Sequence, residues 1–264
     1  MLLNVKHCTD YKFTAPVHYA LQQVKLTPAT QFGQRVISWN VEIDGGQKEL
    51  SYIDEYNNKV DLLSITNNTS NISIKCSGEI ETTDTNGIIG LHDELVPLVF
   101  FTRTTELTTP GSMIRNFSKV ITRDNSLSSF YELSAAIIDA VKYKTDTTNV
   151  LTRAEDAAQS GSGVCQDHAH IMIAAARYAG FPARYVNGYL YIQDKKEQSA
   201  SHAWAEIYLD AIGWVGFDVS NGISPNDLYI RVAIGLDAYE AAPIKGIRYG
   251  DQGESLLVSV IVEQ

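Results

Sequence analysis

Apolar and polar residues alternate along much of the first 108 residues of the chain. Between residues 35 and 44 apolar side chains recur at every second position, and the glycine pair Gly45-Gly46 follows as a turn. A period of two places successive side chains on opposite faces of a β-strand. The runs ELSYID, KVDLLSI and NISIKC are further short strand candidates, with Asn57-Asn58 as a turn between the first two. Several such strands at regular spacing predict an antiparallel β-sandwich.

A helical period replaces this alternation after the threonine-rich stretch TRTTELTTPG. In SLSSFYELSAAIIDAVKY, apolar residues recur every three or four positions, at Phe130, Leu133, Ile137 and Val141. That spacing places them on one face of a helix.

Residues 164–179 are apolar nearly all the way round a second helix. A helix of that kind is buried in the middle of its domain. Ser162 is the N-cap candidate before it, Gly180 fits its C-terminal stop, and Pro182 lies just beyond. Strand-like runs then follow as ARYVNGYLYI, HAWAEIYL, GWVGFDV and, near the end, SLLVSVIVE.

These patterns together predict an α+β protein of two domains. Residues 1–108 are expected to form an N-terminal antiparallel β-sandwich. Residues 109–264 are expected to form a second domain of helices followed by an antiparallel sheet. A chain of 264 residues is long enough for two domains, and an apolar fraction of 44% is ample for their cores.

The net charge of the chain indicates which kinds of partner it can bind. Acidic residues outnumber basic residues by 31 to 21, which gives a net charge of −10. Nucleic acids and anionic membranes require a basic face, so neither is expected as a partner. No window approaches the roughly 18 consecutive apolar residues that span a bilayer. His7 and Asp10 come too early for the apolar core of a signal peptide, so we expect a cytoplasmic protein.

The chain has three cysteines, a number that fits no disulfide framework. Cys76 alternates with isoleucines in NISIKCSGEI, which predicts a buried apolar role. Cys165 differs, because GSGVCQDHAH places it in the first turn of the second predicted helix. Unpaired N–H groups and the helix dipole stabilise a thiolate there, and the Cys165 N–H itself is free to bind an oxyanion.

The strand HAWAEIYL supplies an imidazole for this thiol. In the following strand, GWVGFDV, alternation gives Asp218 a definite face, and the connection between the strands is short enough for a hairpin. Antiparallel pairing would then bring His202 and Asp218 nearly opposite each other, within about two or three residues of register. An imidazole can take the proton of a thiol, and a carboxylate can fix the tautomer of the imidazole.

Three blocks of the sequence, taken in order, resemble the transglutaminase-like superfamily. They are GVCQDHAHIMIAAARYAGFPARYVNGYL, SHAWAEIYL and GWVGFDVSNG. The resemblance is to bacterial transglutaminase-like putative cysteine proteases. YKFTAPVHYALQQVKLTP also resembles the β-domain that precedes the core in those proteins, and RVAIGLDAYEAAPIKG resembles the tail that follows it. The similarity therefore covers almost the whole chain.

The resemblance implies a papain-like, circularly permuted α+β core with a Cys-His-Asp triad. Carried over, the triad is Cys165, His202 and Asp218. It implies no metal or organic cofactor, and it implies a peptide or protein as substrate. The family pattern more often has Phe or Tyr at position 168, where this chain has His168. It also has Asp-Pro-Thr where this chain reads Asp-Val-Ser from residue 218.

Four residues beside the triad are candidates for shaping the cleft. Gln166 and Trp204 adjoin triad members, and His168 is expected to line the wall beside the thiol. Asp167 is either an acceptor that anchors a nearby loop or an acid of the first turn that the helix dipole favours. Reading Cys165 and its neighbours as a zinc site is less favoured, because no second ligand pair with zinc-like spacing follows.

The expected chemistry is thiol-dependent acyl transfer on a peptide or amide bond through a thioester. Hydrolysis, in which water resolves the thioester, is the favoured outcome. Transglutamination, in which an amine resolves it, is the first alternative, since acceptor choice depends on cleft shape and water access. A non-catalytic binding module on the same fold is the second alternative.

Overall fold

The computed structural model describes residues 1–66, 68–93, 95–122, 127–193, 197–250 and 253–264. None of the helices in these ranges is long and apolar enough to cross a membrane. The first half of the chain forms β1 (Leu2–Val17), β2 (Tyr19–Thr27), β3 (Gln34–Asp44), β4 (Gln47–Ile53), β5 (Lys59–Ile65) and β6 (Thr69–Thr82). The strand candidates named from the sequence are confirmed as β3, β4, β5 and β6.

In the middle of the chain, the described residues form the short strand β7 (Ile88–Gly90) and four α-helices. The helices are α1 (Ser112–Phe117), α2 (Leu127–Ala140), α3 (Ala154–Ser160) and α4 (Cys165–Tyr178), with 3-10 turns at Leu98–Thr102 and Ser118–Val120. Two-residue strands β8 (Lys142–Tyr143) and β9 (Ser162–Gly163) pair in parallel just before α4.

The remaining strands are β10 (Ala183–Leu190), β11 (Glu197–Gln198), β12 (His202–Leu209), β13 (Gly213–Phe217), β14 (Tyr229–Gly235), β15 (Ile244–Tyr249) and β16 (Glu254–Glu263). The central sheet has the order β14-β10-β12-β13-β7. The buried helix α4 packs against the face of this sheet that carries Ala203, Ala205 and Ile207. The α+β fold expected from the sequence is confirmed.

The start of α4 differs in detail from the sequence expectation. The N-cap residue is Val164, not Ser162, because Ser162 lies in β9. Val has no side-chain oxygen that could accept an N–H group of the first turn. The start of the helix is instead held by Asp167, whose carboxylate accepts the N–H of Val164 at 2.8 Å. The predicted stop at Gly180 is confirmed: this residue has φ +94°, and its N–H donates to Arg177 C=O.

Both ends of the chain meet in the sheets of the first half. A five-stranded sheet has the order β11-β16-β1-β6-β3, and a four-stranded sheet has the order β15-β2-β5-β4. The two antiparallel sheets share a core that includes Phe13, Val24, Leu63 and Ile74.

The C-terminal strand SLLVSVIVE therefore lies elsewhere than the sequence analysis placed it. It belongs to β16 and pairs with β1 along its whole length, from Glu254 opposite Phe13 to Glu263 opposite Asn4. An alternating pattern identifies a strand but carries no information about a distant partner. The division into residues 1–108 and 109–264 remains a prediction.

Candidate active site

The side chains of His202 and Asp218 are hydrogen bonded to each other. His202 is the first residue of β12, and Asp218 directly follows the neighbouring strand β13. β12 and β13 pair antiparallel with Ala205 opposite Phe217. Continuing this register by one residue places Asp218 opposite Trp204, two residues from His202, as the sequence predicted. Nε2 of His202 donates to Oδ2 of Asp218 at 2.7 Å. A carboxylate only accepts, so Nε2 carries the proton.

Cys165 is the first residue of α4, and its half-buried side chain lines a cleft. It interacts with His202 closely enough to be one of the causes that raise the pKa of the imidazole. Because Asp218 holds Nε2, Nδ1 is the ring nitrogen that remains for the sulfur. Burial alone would lower the pKa of His202, but the interactions with Asp218 and Cys165 outweigh it and raise the pKa to about 10. The imidazolium form is therefore favoured beside the thiol at neutral pH.

Two further residues, neither foreseen from the sequence, donate hydrogen bonds to the side chain of Asp218; one of these bonds runs from the backbone N–H of Asn221 to Oδ1 at 3.3 Å. Tyr229 donates its hydroxyl to Oδ2 at 2.7 Å, and the side-chain amide of Asn221 donates to the same oxygen at 2.6 Å. Burial alone would raise the pKa of Asp218, but the bonds from His202, Tyr229 and Asn221 hold it below its ordinary value. Asn221 stands within the quoted block GWVGFDVSNG, so its proximity to Asp218 in sequence was the available signal. Tyr229 gave no such signal.

Aromatic rings surround the imidazole. The ring centroid of Trp204 lies 6.2 Å from that of His202, and the ring centroid of Tyr229 lies 6.0 Å from it. Trp204 fits beneath this site because residue 188 is a glycine: a Cβ there would come within 2.5 Å of the indole ring. The structure places Trp204 next to His202, but Trp204 is buried and is not among the side chains that line the cleft.

Asp167 makes both of the contacts that the sequence analysis left open. Its fully buried carboxylate accepts the N–H of Val164 within the first turn of α4 and also the hydroxyl of Thr148 at 2.6 Å. The second bond connects α4 to the loop that follows β8. Gln166 reaches the same loop, with its amide 3.5 Å from the C=O of Val150, and it lines the cleft.

His168 is fixed on both ring nitrogens. Nε2 donates to the C=O of Val141 at 2.9 Å, so in the neutral ring Nδ1 accepts from the hydroxyl of Ser220 at 2.9 Å. Burial lowers its pKa. His168 thereby ties α4 to the end of α2 and to the segment just after Asp218. It is not among the side chains that line the cleft around Cys165.

The histidines of α4 do not converge with Cys165 on a common ligand position. His170 is fully buried, and its Nε2 accepts the N–H of Ala238 at 3.0 Å. Within the described ranges, no group of three or more His, Cys, Asp or Glu side chains is arranged to hold a metal ion.

A cleft of about 840 Å³ opens at Cys165 between the two halves of the molecule. On the core side it is lined by Gln166, Tyr185, Asn187 and Ser201, among others. The opposite wall comes from the sheet that both chain ends build, through His7, Thr9 and Tyr11 of β1 and Leu256 and Val258 of β16. The β-sheet half of the protein therefore faces the thiol directly.

Two protein-family models match the chain, one over its N-terminal strands and one over the segment that carries the candidate site. Residues 115–219 match the transglutaminase-like superfamily, and residues 3–81 match the bacterial transglutaminase-like N-terminal region. These matches identify a transglutaminase-like core preceded by a bacterial transglutaminase-like N-terminal region. The segment that matches the superfamily core contains Cys165, His202 and Asp218.

Relatives and solved structures extend this similarity over nearly the full length. ML0607 of Mycobacterium leprae is 28% identical over 275 residues, which cover 99% of this chain and 97% of that protein. Rv2569c of Mycobacterium tuberculosis is 25% identical over 289 residues, which cover 98% of this chain and 91% of that protein. A Cytophaga hutchinsonii structure described as a putative cysteine protease has a TM-score of 0.78 at 20% identity, covering 100% of this chain and 91% of that one. It shows the shared fold.

Proposed function

We propose that the protein is a thiol-dependent acyl-transfer enzyme that hydrolyses peptide or amide bonds. Cys165 is the nucleophile, His202 the general base and acid, and Asp218 the residue that orients His202. The observation that carries the proposal is the position of His202, whose ring is hydrogen bonded to Asp218 and whose pKa is raised in part by its interaction with Cys165. A nucleophile, a base in contact with it and an orienting group are the parts that this chemistry needs.

In the first step, the Cys165 thiolate attacks the carbonyl carbon of the substrate, and a C–S bond forms. The negative charge moves to the carbonyl oxygen, next to the unpaired N–H groups at the start of α4. The C–N bond then breaks, and the imidazolium of His202 gives its proton to the leaving amine. The product of this step is a thioester on Cys165 with a neutral imidazole beside it.

In the second step, His202 takes a proton from water, and the resulting hydroxide attacks the thioester carbonyl. The C–O bond forms, the C–S bond breaks, and the Cys165 thiolate returns beside a protonated His202. The net reaction converts an amide and water into a carboxylic acid and an amine. Throughout both steps Asp218 stays ionised, which its lowered pKa favours.

The test is a library of acetylated peptides incubated in heavy-oxygen water with a primary amine present. Hydrolysis places heavy oxygen in a new carboxylate, whereas transfer to the amine gives an amine adduct, and mass spectrometry separates the two. We expect heavy-oxygen products that vanish in Cys165→Ala and persist in Cys8→Ala, because Cys8 lies in β1 outside the cleft lining. The absence of any Cys165-dependent product contradicts the proposal, and a predominance of amine adducts contradicts its hydrolytic part.

A further inference from the structure

The outer edge of β16 borders the cleft of Cys165 and is open along part of its length. One edge of β16 pairs with β1 throughout, and the other pairs only with the two-residue strand β11, at Val260 and Ile261. Among the residues that the structure describes, no backbone group pairs with this outer edge between Glu254 and Ser259.

The hydrogen-bond pattern with β1 shows which residues face the open edge. The N–H of Thr14 donates to the C=O of Gly253 at 2.9 Å, and these residues continue the register in which Phe13 stands opposite Glu254. Hydrogen-bonded and non-hydrogen-bonded pairs alternate along an antiparallel ladder. Odd-numbered residues of β16 therefore bond to β1, whereas Leu256 and Val258 direct their N–H and C=O groups outward.

The same two residues also contribute their side chains to the cleft. Leu256 stands opposite Tyr11 and Val258 stands opposite Thr9, and all four residues line the cavity that contains Cys165. Leu256 is 54% exposed. A free edge that carries exposed apolar side chains is a template for pairing with another extended chain. Here the free edge and the apolar side chains occur at the same residues.

The short strand β11 shows that this edge accepts a strand that leads towards the thiol. Gln198 of β11 pairs with Val260, and the chain then continues through Ala200 and Ser201, which both line the cleft, to His202. Beyond β11, the outer edge of β16 at Val258 and Leu256 has no backbone partner among the described residues. A segment in that position lies in the same cavity as Cys165.

We propose that the open edge of β16 binds the substrate as an extended peptide, which adds a strand to the sheet beside Leu256 and Val258. The proposal rests on the proposed function and specifies its substrate class. A row of outward N–H and C=O groups is complementary to another extended backbone, and not to a small amide or a folded surface. Alternate side chains of the added strand point into the cleft, where Leu256 and Val258 favour aliphatic groups.

The test uses a peptide reagent that occupies the cleft in full stoichiometry. Acetyl-Val-Ala-Val-Ala chloromethyl ketone alkylates a thiol: a C–S bond forms and chloride leaves. The matched control is the same protein alkylated with iodoacetamide, which blocks the thiol without a peptide. Residue-resolved amide hydrogen exchange is then compared. We expect exchange at the Leu256 and Val258 amides to slow by roughly tenfold in the peptide adduct, with the Leu257 amide unchanged because β1 already binds it.

A second measurement uses substitutions at one edge residue. Leu256→Pro removes an outward N–H and leaves the bonds to β1 in place, whereas Leu256→Ala removes only side-chain volume. We expect Leu256→Pro to slow labelling by the peptide reagent more than Leu256→Ala does, with labelling by iodoacetamide unchanged in both.

The outcomes separate this proposal from the proposed function. Labelling of Cys165 without protection at Leu256 and Val258 overturns the peptide edge and leaves the nucleophile in place. Failure of both reagents to label Cys165 overturns the proposed function, and this proposal with it. Protection of the same amides in the unlabelled protein, increasing with protein concentration, would assign the edge to a second copy of the chain and also overturn the proposal.

Discussion

Oδ2 of Asp218 lies 2.7 Å from Nε2 of His202, and the same oxygen accepts hydrogen bonds from Asn221 and Tyr229. Three donors on one buried carboxylate oxygen favour its ionised form and fix its orientation. The carboxylate in turn holds the imidazole with its other nitrogen towards Cys165. The position of the proposed base therefore depends on two residues outside the triad.

Loss of the Tyr229 hydroxyl should weaken the thiol–imidazole pair without removing any of its members. In Tyr229→Phe, Asp218 loses one of the donors that fix the orientation of its carboxylate, so the imidazole of His202 is held less firmly towards Cys165. We expect alkylation of Cys165 by iodoacetamide at neutral pH to slow by about three- to tenfold, because only part of the roughly 1.5–3 kcal/mol of a hydrogen bond to a charged group reaches the thiol through Asp218 and His202. The rate is followed by mass spectrometry of the Cys165 peptide.

Tyr56→Phe is the matched control for that experiment. Tyr56 also donates to a carboxylate oxygen, Oε2 of Glu240, at 2.6 Å, but it does not contact His202 or Asp218. We expect it to lower the free energy of unfolding and to leave Cys165 alkylation unchanged. Equal slowing in both variants would show that the effect of Tyr229 is general destabilisation.

The free energy of unfolding should depend on His202 between near-neutral and alkaline pH. The pKa of His202 is raised from 6.5 to about 10 in the folded protein. The stabilisation is therefore fully present below the unfolded value and is lost as pH rises through the folded value. Compared with His202→Gln, the native protein should lose its extra stability over this window by at most about 1.4 kcal/mol per pH unit.

Urea unfolding of both proteins at a series of pH values measures this difference. Asp218 does not interfere, because its pKa is lowered, so its contribution is lost only in acid. In Cys165→Ser the pKa of His202 in the folded protein should be lower, because the interaction with Cys165 is one cause of its raised value. The loss of stability should then be complete at a lower pH. A stability difference that is flat across the window would refute the assigned pKa.

The buried carboxylate of Glu206, which binds two arginines, should contribute strongly to the stability of the fold. Glu206 is fully buried and binds Arg184 at 2.6 Å and Arg231 at 3.1 Å. Glu206→Gln removes the charge that balances two guanidinium groups, so we expect a loss of about 3–5 kcal/mol. In the exposed pair Arg35–Glu81, the matching change Glu81→Gln should cost less than about 1 kcal/mol. Chemical denaturation of both variants decides the comparison, and similar losses would contradict it.

Local patterns were enough to predict the elements that carry the proposed triad. The apolar run after Cys165 marked α4, and strand alternation with a short connection gave the register that brings His202 to Asp218. Each of these inferences depends on residues close together in sequence. For the same reason the glycine turn between β3 and β4 was predictable, and Gly45 does have a positive φ of 83°.

Long-range pairing could not be read from the sequence in the same way. Nothing in SLLVSVIVE indicates that it pairs with β1, more than 240 residues earlier in the chain. Ile88–Gly90 likewise gives no sign that it pairs with β13. Tyr229 was missed because it reaches Asp218 from a different strand. The wall of the cleft that β1 and β16 form follows from these same pairings and was therefore not foreseen.

The proposed function depends above all on a reactive pair formed by Cys165 and His202. The most direct measurement is the rate of Cys165 alkylation by iodoacetamide as a function of pH, in the native protein and in His202→Ala. We predict that Cys165 reacts ahead of Cys8 and Cys76 at neutral pH, and that His202→Ala slows it by about tenfold or more, with the two rates converging in alkaline solution. An inert Cys165, or one that reacts at the same rate with and without His202, would show that the two residues do not form such a pair.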